Sequence, residues 1–219
     1  MMKGLFVKDL RLMLMQKKFF IMIIVFSLFF MISDYGSSFI ISYMTFVGSL
    51  FSISSMSYDE YNNGHAFLMT LPILRQDYVQ EKYLFACFTS IISWLFSLLL
   101  AFSYQLILKH TFFSAEDLIG AFSIYGIWLM IVSLMIPIQL KYGAEKGRIA
   151  QTLICGMLFI SIVLVAKFAK YIPIDFSRFI LFLNRIPIGM ITFVAVIFIL
   201  LIIIVSYKMS VKIMLKKEF

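Results

Sequence analysis

The sequence predicts an all-α integral membrane protein of six transmembrane helices, with an N-terminal interfacial helix and one long cytoplasmic segment. Three observations carry this. The 219-residue chain is 63% hydrophobic and only 14% charged, whereas soluble chains are roughly 25% charged and 45–50% apolar. Its apolar residues fall into uncharged runs of membrane length. Its bases gather at the ends of those runs, so the net charge of +8 belongs to span ends at a membrane surface; no basic patch with interleaved aromatics points to nucleic acid. The chain carries no cleavable signal peptide by this pattern, because five bases are spread through the first 18 residues and no small-residue cleavage site follows the first apolar run.

Residues 2–18 are too charged to span but have helical periodicity. Phe6, Val7, Leu10, Met13 and Leu14 share one face, and Lys8 and Arg11 the opposite one, the pattern of a helix lying in the interface. The spans follow at 19–33, 38–56, 84–108, 118–140, 149–166 and 188–207. The first is short for a bilayer and needs its flanking polar residues to snorkel. Asp34 to Ser37 makes a tight turn. In the second span Ser38, Ser42, Thr45, Ser49 and Ser52 recur at intervals of four and three, and Ala86, Ser90, Ser93, Ser97 and Ala101 repeat the device in the third. Such stripes either pack against another helix, where small residues allow close approach, or form the polar wall of a pathway. Pro137 is expected to kink or end the fourth span, and Lys141 to Arg148 to form a flexible turn, its Gly143 and Gly147 lying among charges. Between the last two spans, residues 174–186 put Phe176, Phe179, Ile180 and Leu183 on one face and Arg178 and Arg185 on the other, which predicts an outer interfacial helix.

Fourteen of the nineteen Lys and Arg fall on the side of the N-terminus, the segment 57–83, the 141–148 turn and the tail. That side is therefore expected to be cytoplasmic, with both termini in the cytoplasm of a cell whose plasma membrane holds the chain. Segment 57–83 is the longest polar interruption. It carries four acids, the bases Arg75 and Lys82, an Asn-Asn-Gly turn signal, and Pro72, placed to open a helix within its first turn. A polar segment of this length between two spans must meet water or another protein.

No HExxH, GxSxG, GxxxxGK[ST] or GxGxxG occurs, and the two histidines, His65 and His110, fall in loops assigned to opposite sides. The adjacent pair Glu116 and Asp117 is expected to be solvated surface charge, since neighbours on a helix point about 100° apart. Cys87 and Cys155 lie within apolar runs without companions at metal-ligand spacing. The spans as bounded above are free of acids and bases. Ion-driven carriers usually keep such groups at membrane depth, so energy for any transport is expected to come from outside the spans, from a separate ATPase. No cofactor or metal is expected in the chain itself.

Lys3-Gly4-Leu5 with Lys8-Asp9-Leu10, then Tyr58-Asp59-Glu60 after the second span, then Leu71-Pro72 with Arg75, Val79 and Lys82-Tyr83 before the third, resemble the short permease subunits of ABC-2-type exporters. The resemblance covers the whole chain in length, layout and motif order. It implies a single transmembrane domain over 1–219 that pairs with a second permease chain, alike or different, and with cytoplasmic ABC ATPase subunits that bind ATP and Mg. It implies a coupling helix at about Tyr58 to Met69, with Tyr58, Asp59, Glu60 and His65 near the ATPase, Asp59 and Glu60 meeting basic ATPase residues, and Leu71, Pro72 and Arg75 shaping the elbow into the third span. Residues 174–186 would match the family's extracellular-side hairpin. Family members move peptides, lipids, polysaccharides or drugs, and the short permeases include exporters of amphipathic peptides of the phenol-soluble modulin type. The alternative is a membrane scaffold or sensor that binds amphipathic ligands or a signalling partner without moving them.

Overall fold

A computed structural model describes residues 2–33, 35–61, 64–168 and 188–217. Those residues form helices α1 (Met2–Met15), α2 (Lys17–Ile32), α3 (Ser37–Glu60), α4 (Gly64–Thr70), α5 (Arg75–Tyr104, continued by a π turn Gln105–Lys109), α6 (Ala115–Phe168) and α7 (Ile188–Lys216). Four of them, α3, α5, α6 and α7, are long and apolar enough to cross a membrane, and α1 with α2 makes a fifth if the pair, bent by 62°, is one span. The predicted outer helix at 174–186 lies outside the described residues.

Several expected boundaries shift, each for a local reason. The polar segment is mostly helix: α3 runs on to Glu60, α4 fills its middle, and α5 begins at Arg75. Pro72 therefore stands in the bend before α5 and not in its first turn. Pro137 neither ends nor breaks α6. The break comes at Gly143, whose φ of 78° and ψ of 179° only glycine adopts without strain. The chain folds back there. In a straight helix residues 139 and 147 would stand about 12 Å apart along the axis, yet a Cβ on Gly147 would lie 3.5 Å from the Gln139 Cα. The expected flexible turn is thus a one-residue break between two helical arms, and its second glycine serves close packing. Asp117 adds a capping role to the surface position expected of it. It accepts from the Ser114 N–H at 2.9 Å while the Asp117 N–H donates to Ser114 Oγ at 3.1 Å, a reciprocal cap that opens α6.

α1 packs on the bundle through Leu5, Phe6 and Asp9, and part of its predicted apolar face stays exposed. Leu5 and Asp9 are buried, while Val7 (46% exposed) and Leu14 (62%) face out. Phe6 meets Phe85 and Phe88 of α5 edge-on, with ring centroids 5.7 and 5.2 Å apart, the preferred aromatic geometry.

Two apolar cores hold the bundle. The larger gathers Leu5, Met56, Tyr78, Tyr83, Ile136 and Met214 at the end where α1, the C-terminus of α3, the N-terminus of α5 and the C-terminus of α7 meet; the smaller packs Trp94 on Ile41, Ala101 and Ala121 toward the opposite end. Between them α3 and α5 are joined along the predicted stripes. Thr45, Ser49, Ser52, Ser90 and Ser97 are buried, and Ser42 and Ser93 are half-buried. Ser52, Ser90 and Ser97 donate to carbonyls of their own helices at 2.8, 2.9 and 2.7 Å, and Ser49 donates to the Thr45 carbonyl. Ser42 accepts from Trp128 Nε1 at 3.2 Å. Gly48 touches Ser93 so closely that a Cβ there would collide with that side chain.

Pro137 acts on α6 without ending it. The Ser133 carbonyl would ordinarily accept from the N–H four residues on, and proline has none. Ser206 Oγ donates to that carbonyl at 2.5 Å and Tyr83 Oη at 3.4 Å. Tyr83 Oη also lies 2.7 Å from Ser206 Oγ and 2.9 Å from Ser210 Oγ. The missing backbone bond becomes the centre of a polar knot joining α5, α6 and α7.

Candidate functional site

Beneath the larger core lies a cluster of charged side chains withdrawn from solvent. α1 contributes Asp9, fully buried, on the stripe that begins with Leu5 one turn earlier; α5 contributes Lys82, 1% exposed, one turn after buried Tyr78; α3 contributes Asp59, 5% exposed. A buried charge is costly unless paired, and these three pair with one another, with Asp9 Oδ1 receiving no hydrogen bond. Lys82 Nζ lies 2.5 Å from Asp9 Oδ2, 2.7 Å from Asp59 Oδ2 and 3.4 Å from Ser55 Oγ. Lys8 Nζ closes the ring from the rim, pairing with Asp59 Oδ1 and reaching Asp9 Oδ1 at 3.1 Å.

From Asp59 the network runs into α4. Tyr78 Oη donates to Asp59 Oδ2 at 3.0 Å, and His65 Nε2 is 2.9 Å from the same hydroxyl. Because Tyr78 has one proton and gives it to Asp59, the histidine must donate through Nε2. Burial pushes His65 down to about 4, with the positive charge of Lys217 acting the same way and Glu60 and Asp59 opposing them. The imidazole is thus neutral at physiological pH, and its 3.7 Å approach to Glu60 Oε1 is no ion pair.

Glu60 joins the remaining elements. Its Oε2 accepts from the Ala144 N–H, which opens the second arm of α6 just after the Gly143 break, and its Oε1 takes Lys217 Nζ at 3.1 Å. Lys217 also donates to the Leu140 carbonyl at 3.2 Å. Arg75 Nη1 donates to the carbonyls of Met214 (3.2 Å) and Leu215 (2.8 Å), closing the C-terminus of α7, whose last carbonyls have no helical partner.

The sequence-derived residues therefore separate. Asp59, Glu60, His65 and Arg75 are engaged with other helices of the chain. Tyr58 is 48% exposed, with a hydroxyl that accepts from Gln16 Nε2, and Leu71 is exposed in the bend beside Pro72. The serine stripes stand apart from this cluster, along the α3–α5 seam. Sequence reasoning missed the roles of Asp9 and Lys82, although both lie in the quoted motifs. The available signal was position: each charge occupies a slot on the inward stripe of its helix, where a lone ion cannot remain unpaired.

Glu81, 1% exposed, is the odd member. Neither carboxylate oxygen has a hydrogen-bond donor, and the nearest cation is Lys82 at 3.7 Å. Among the described residues no group of three or more His, Cys, Asp or Glu could hold a metal ion. What the arrangement does chemically is tie α1, α3, α4, α5, α6 and α7 at one end of the bundle.

The family model described as ABC-2 family transporter protein matches residues 4–215. No curated protein and no solved structure matches the chain. The family match includes Asp9, Asp59, Glu60, His65 and Lys82, and the chain belongs to the ABC-2 transporter family, whose members are membrane permeases of ABC transporters.

Proposed function

We propose that the chain is the permease subunit of an ATP-driven exporter, energised by a separate cytoplasmic ATPase that docks on segment 57–83. The carrying observation is the two-sidedness of α4. Its inner face is held by His65 and Leu68, both buried, while Phe67 is 67% exposed and Leu74, just before α5, is 68% exposed, with Tyr61 and Leu71 beside them. A short helix that presents large apolar side chains outward and is bonded inward through His65 to Tyr78 of α5 suits a surface that receives force. In this reading Tyr58, Phe67, Leu71 and Leu74 touch the ATPase. Asp59, Glu60 and His65 transmit its movement to α1, α5 and α6, and Pro72 and Arg75 fix the elbow.

The same reading places this end of the bundle, with both termini, in the cytoplasm, on the excess of bases gathered there. It keeps six spans in the plasma membrane, α1 as an interfacial helix, residues 174–186 outside, and a second permease chain as partner, with ATP and Mg held by the ATPase. The substrate is an amphipathic or hydrophobic molecule such as a peptide or lipid. The serine stripes serve first as packing. Gly48 and Ser93 also line an apolar cavity of about 190 Å³ with Phe20, Met44 and Phe96, where the seam borders free volume that an apolar substrate could use.

Co-purification with a candidate ABC ATPase partner tests the docking. Wild type should retain the ATPase, and Phe67→Asp should release it while the permease stays in the membrane. An ATPase held equally by both would sink the α4 assignment.

A further inference from the structure

At the bend between α1 and α2 a cleft of about 290 Å³ opens beside the ion cluster, and Gln16, Phe19, Ser54, Ser57, Tyr58, Tyr61 and Arg148 line it. They come from three parts of the fold: the 62° elbow, the last turns of α3 with Tyr61 behind them, and the second arm of α6. The lining holds one guanidinium, four hydroxyls and one amide, and no acid. Arg148 is exposed and its guanidinium makes no ion pair among the described residues. The nearby carboxylate of Glu60 is already taken by Ala144 and Lys217.

The cleft therefore offers a positive charge without a counter-ion among the described residues, with the hydroxyls of Ser54, Tyr58 and Tyr61 beside it and that of Ser57 bonded to the Ile53 carbonyl and Gln139. A guanidinium with convergent hydroxyls is the chemistry that recognises a phosphate diester. The surroundings say where that phosphate comes from. Lys17 and Lys18 open α2 next to Gln16, both exposed, and from Phe19 onward α2 turns Ile21, Met22, Val25, Phe26 and Phe29 outward. A headgroup seated on Arg148 would thus have cations at its edge and an apolar helix face along which two acyl chains can lie. A soluble phosphate would use the donors and leave that face unexplained.

We propose that this cleft binds the headgroup of an anionic phospholipid, which clamps the α1–α2 elbow to α3 and to the second arm of α6. Basic pockets at the cytoplasmic ends of spans are suited to such headgroups. Tyr58 and Tyr61 border both this cleft and the proposed docking face, so lipid binding is measured on the permease without the ATPase, where it can fail or hold separately from docking.

The full chain, purified in a neutral detergent, is titrated with phosphatidylglycerol or phosphatidylcholine, and lipid adducts are counted by native mass spectrometry. Wild type should retain phosphatidylglycerol over phosphatidylcholine by roughly fivefold, the worth of one favourably placed base. Arg148→Gln should abolish the preference, and Tyr61→Phe, which keeps the ring and removes one donor, should weaken it. Lys141→Gln, at an exposed base outside the cleft, should leave it unchanged. Equal retention of the two lipids, or a loss in Lys141→Gln matching that in Arg148→Gln, would overturn the proposal. So would inorganic phosphate that displaces the lipid at equal concentration, because the acyl chains would then contribute nothing.

Discussion

The charged end of the bundle and the α3–α5 seam use polar side chains in opposite ways. In the seam, Ser49, Ser52, Ser90 and Ser97 donate to carbonyls of their own helices, so their hydroxyls make little demand on the partner and the contact depends on size. At the charged end Asp9 and Asp59 pair with Lys82, and Glu60 pairs with Lys217, 157 residues away in sequence, and the contact depends on partner identity. Loss of one seam hydroxyl leaves the geometry intact. Loss of one ion leaves its partners buried and unpaired. The polar motifs at 8–10, 58–60 and 82–83 fall at the end that specifies, and the tolerant small-residue stripes along the seam that packs.

Breaking the ion cluster should have the largest effect. Lys82→Met strands Asp9 and Asp59 together, and removing one partner of a buried pair costs about 3–5 kcal/mol; a large drop in the thermal unfolding midpoint in detergent is expected. Glu81→Gln sharpens the contrast. Glu81 receives no hydrogen bond, so neutralising it should leave the midpoint unchanged or raise it. Equal losses in the two variants would mean that the cluster is held by net charge and not by specific pairing.

In the seam the sensitive position is a glycine. Gly48→Ala should cost about 1–3 kcal/mol through overpacking against Ser93, and Ser93→Gly should restore the midpoint. Without rescue, the Gly48–Ser93 contact does not set the helix spacing.

The Pro137 knot predicts a smaller, conditional effect. Tyr83→Phe removes a donor to the Tyr83–Ser206–Ser210 group around the orphaned Ser133 carbonyl, at about 1 kcal/mol. In a Pro137→Ala background the restored N–H satisfies that carbonyl, so the same change should cost less. A double-mutant cycle with no coupling would contradict the link.

The mildest perturbation is acid. His65 in the fold protonates at about 4, below the ordinary value near 6.5, so the unfolded chain binds the proton first as pH falls. The stability tied to neutral His65 is complete above pH 6.5 and is lost through about pH 4. Hydrogen exchange in residues 64–70 should rise over that window more in wild type than in His65→Gln, which keeps a donor to Tyr78 without titrating. Identical profiles would remove His65 as the source.

The apolar runs, the small-residue stripes and the interruption at 57–83 were all legible in the sequence, because each depends on composition or local period. So was the break within 141–148, though its type was not: that the chain reverses at one glycine depends on Glu60, 83 residues earlier, capping Ala144. Asp59 read as a surface acid because its two lysines lie 51 residues before it and 23 after it in the chain, and no local pattern announces them. Pro137 illustrates the same limit. Its backbone defect is visible in the sequence, but the hydroxyls that repair it come from α5 and α7.

The most direct test of the central claim is ATP hydrolysis by the partner ATPase reconstituted with the permease in lipid discs. The two faces of α4 should separate there. Phe67→Asp should abolish both association and permease-dependent stimulation, whereas Asp9→Asn, remote from the docking face, should leave the ATPase bound and lower its stimulation. Full stimulation with Asp9→Asn in a folded permease would show that the ion cluster does not transmit, and would contradict the account.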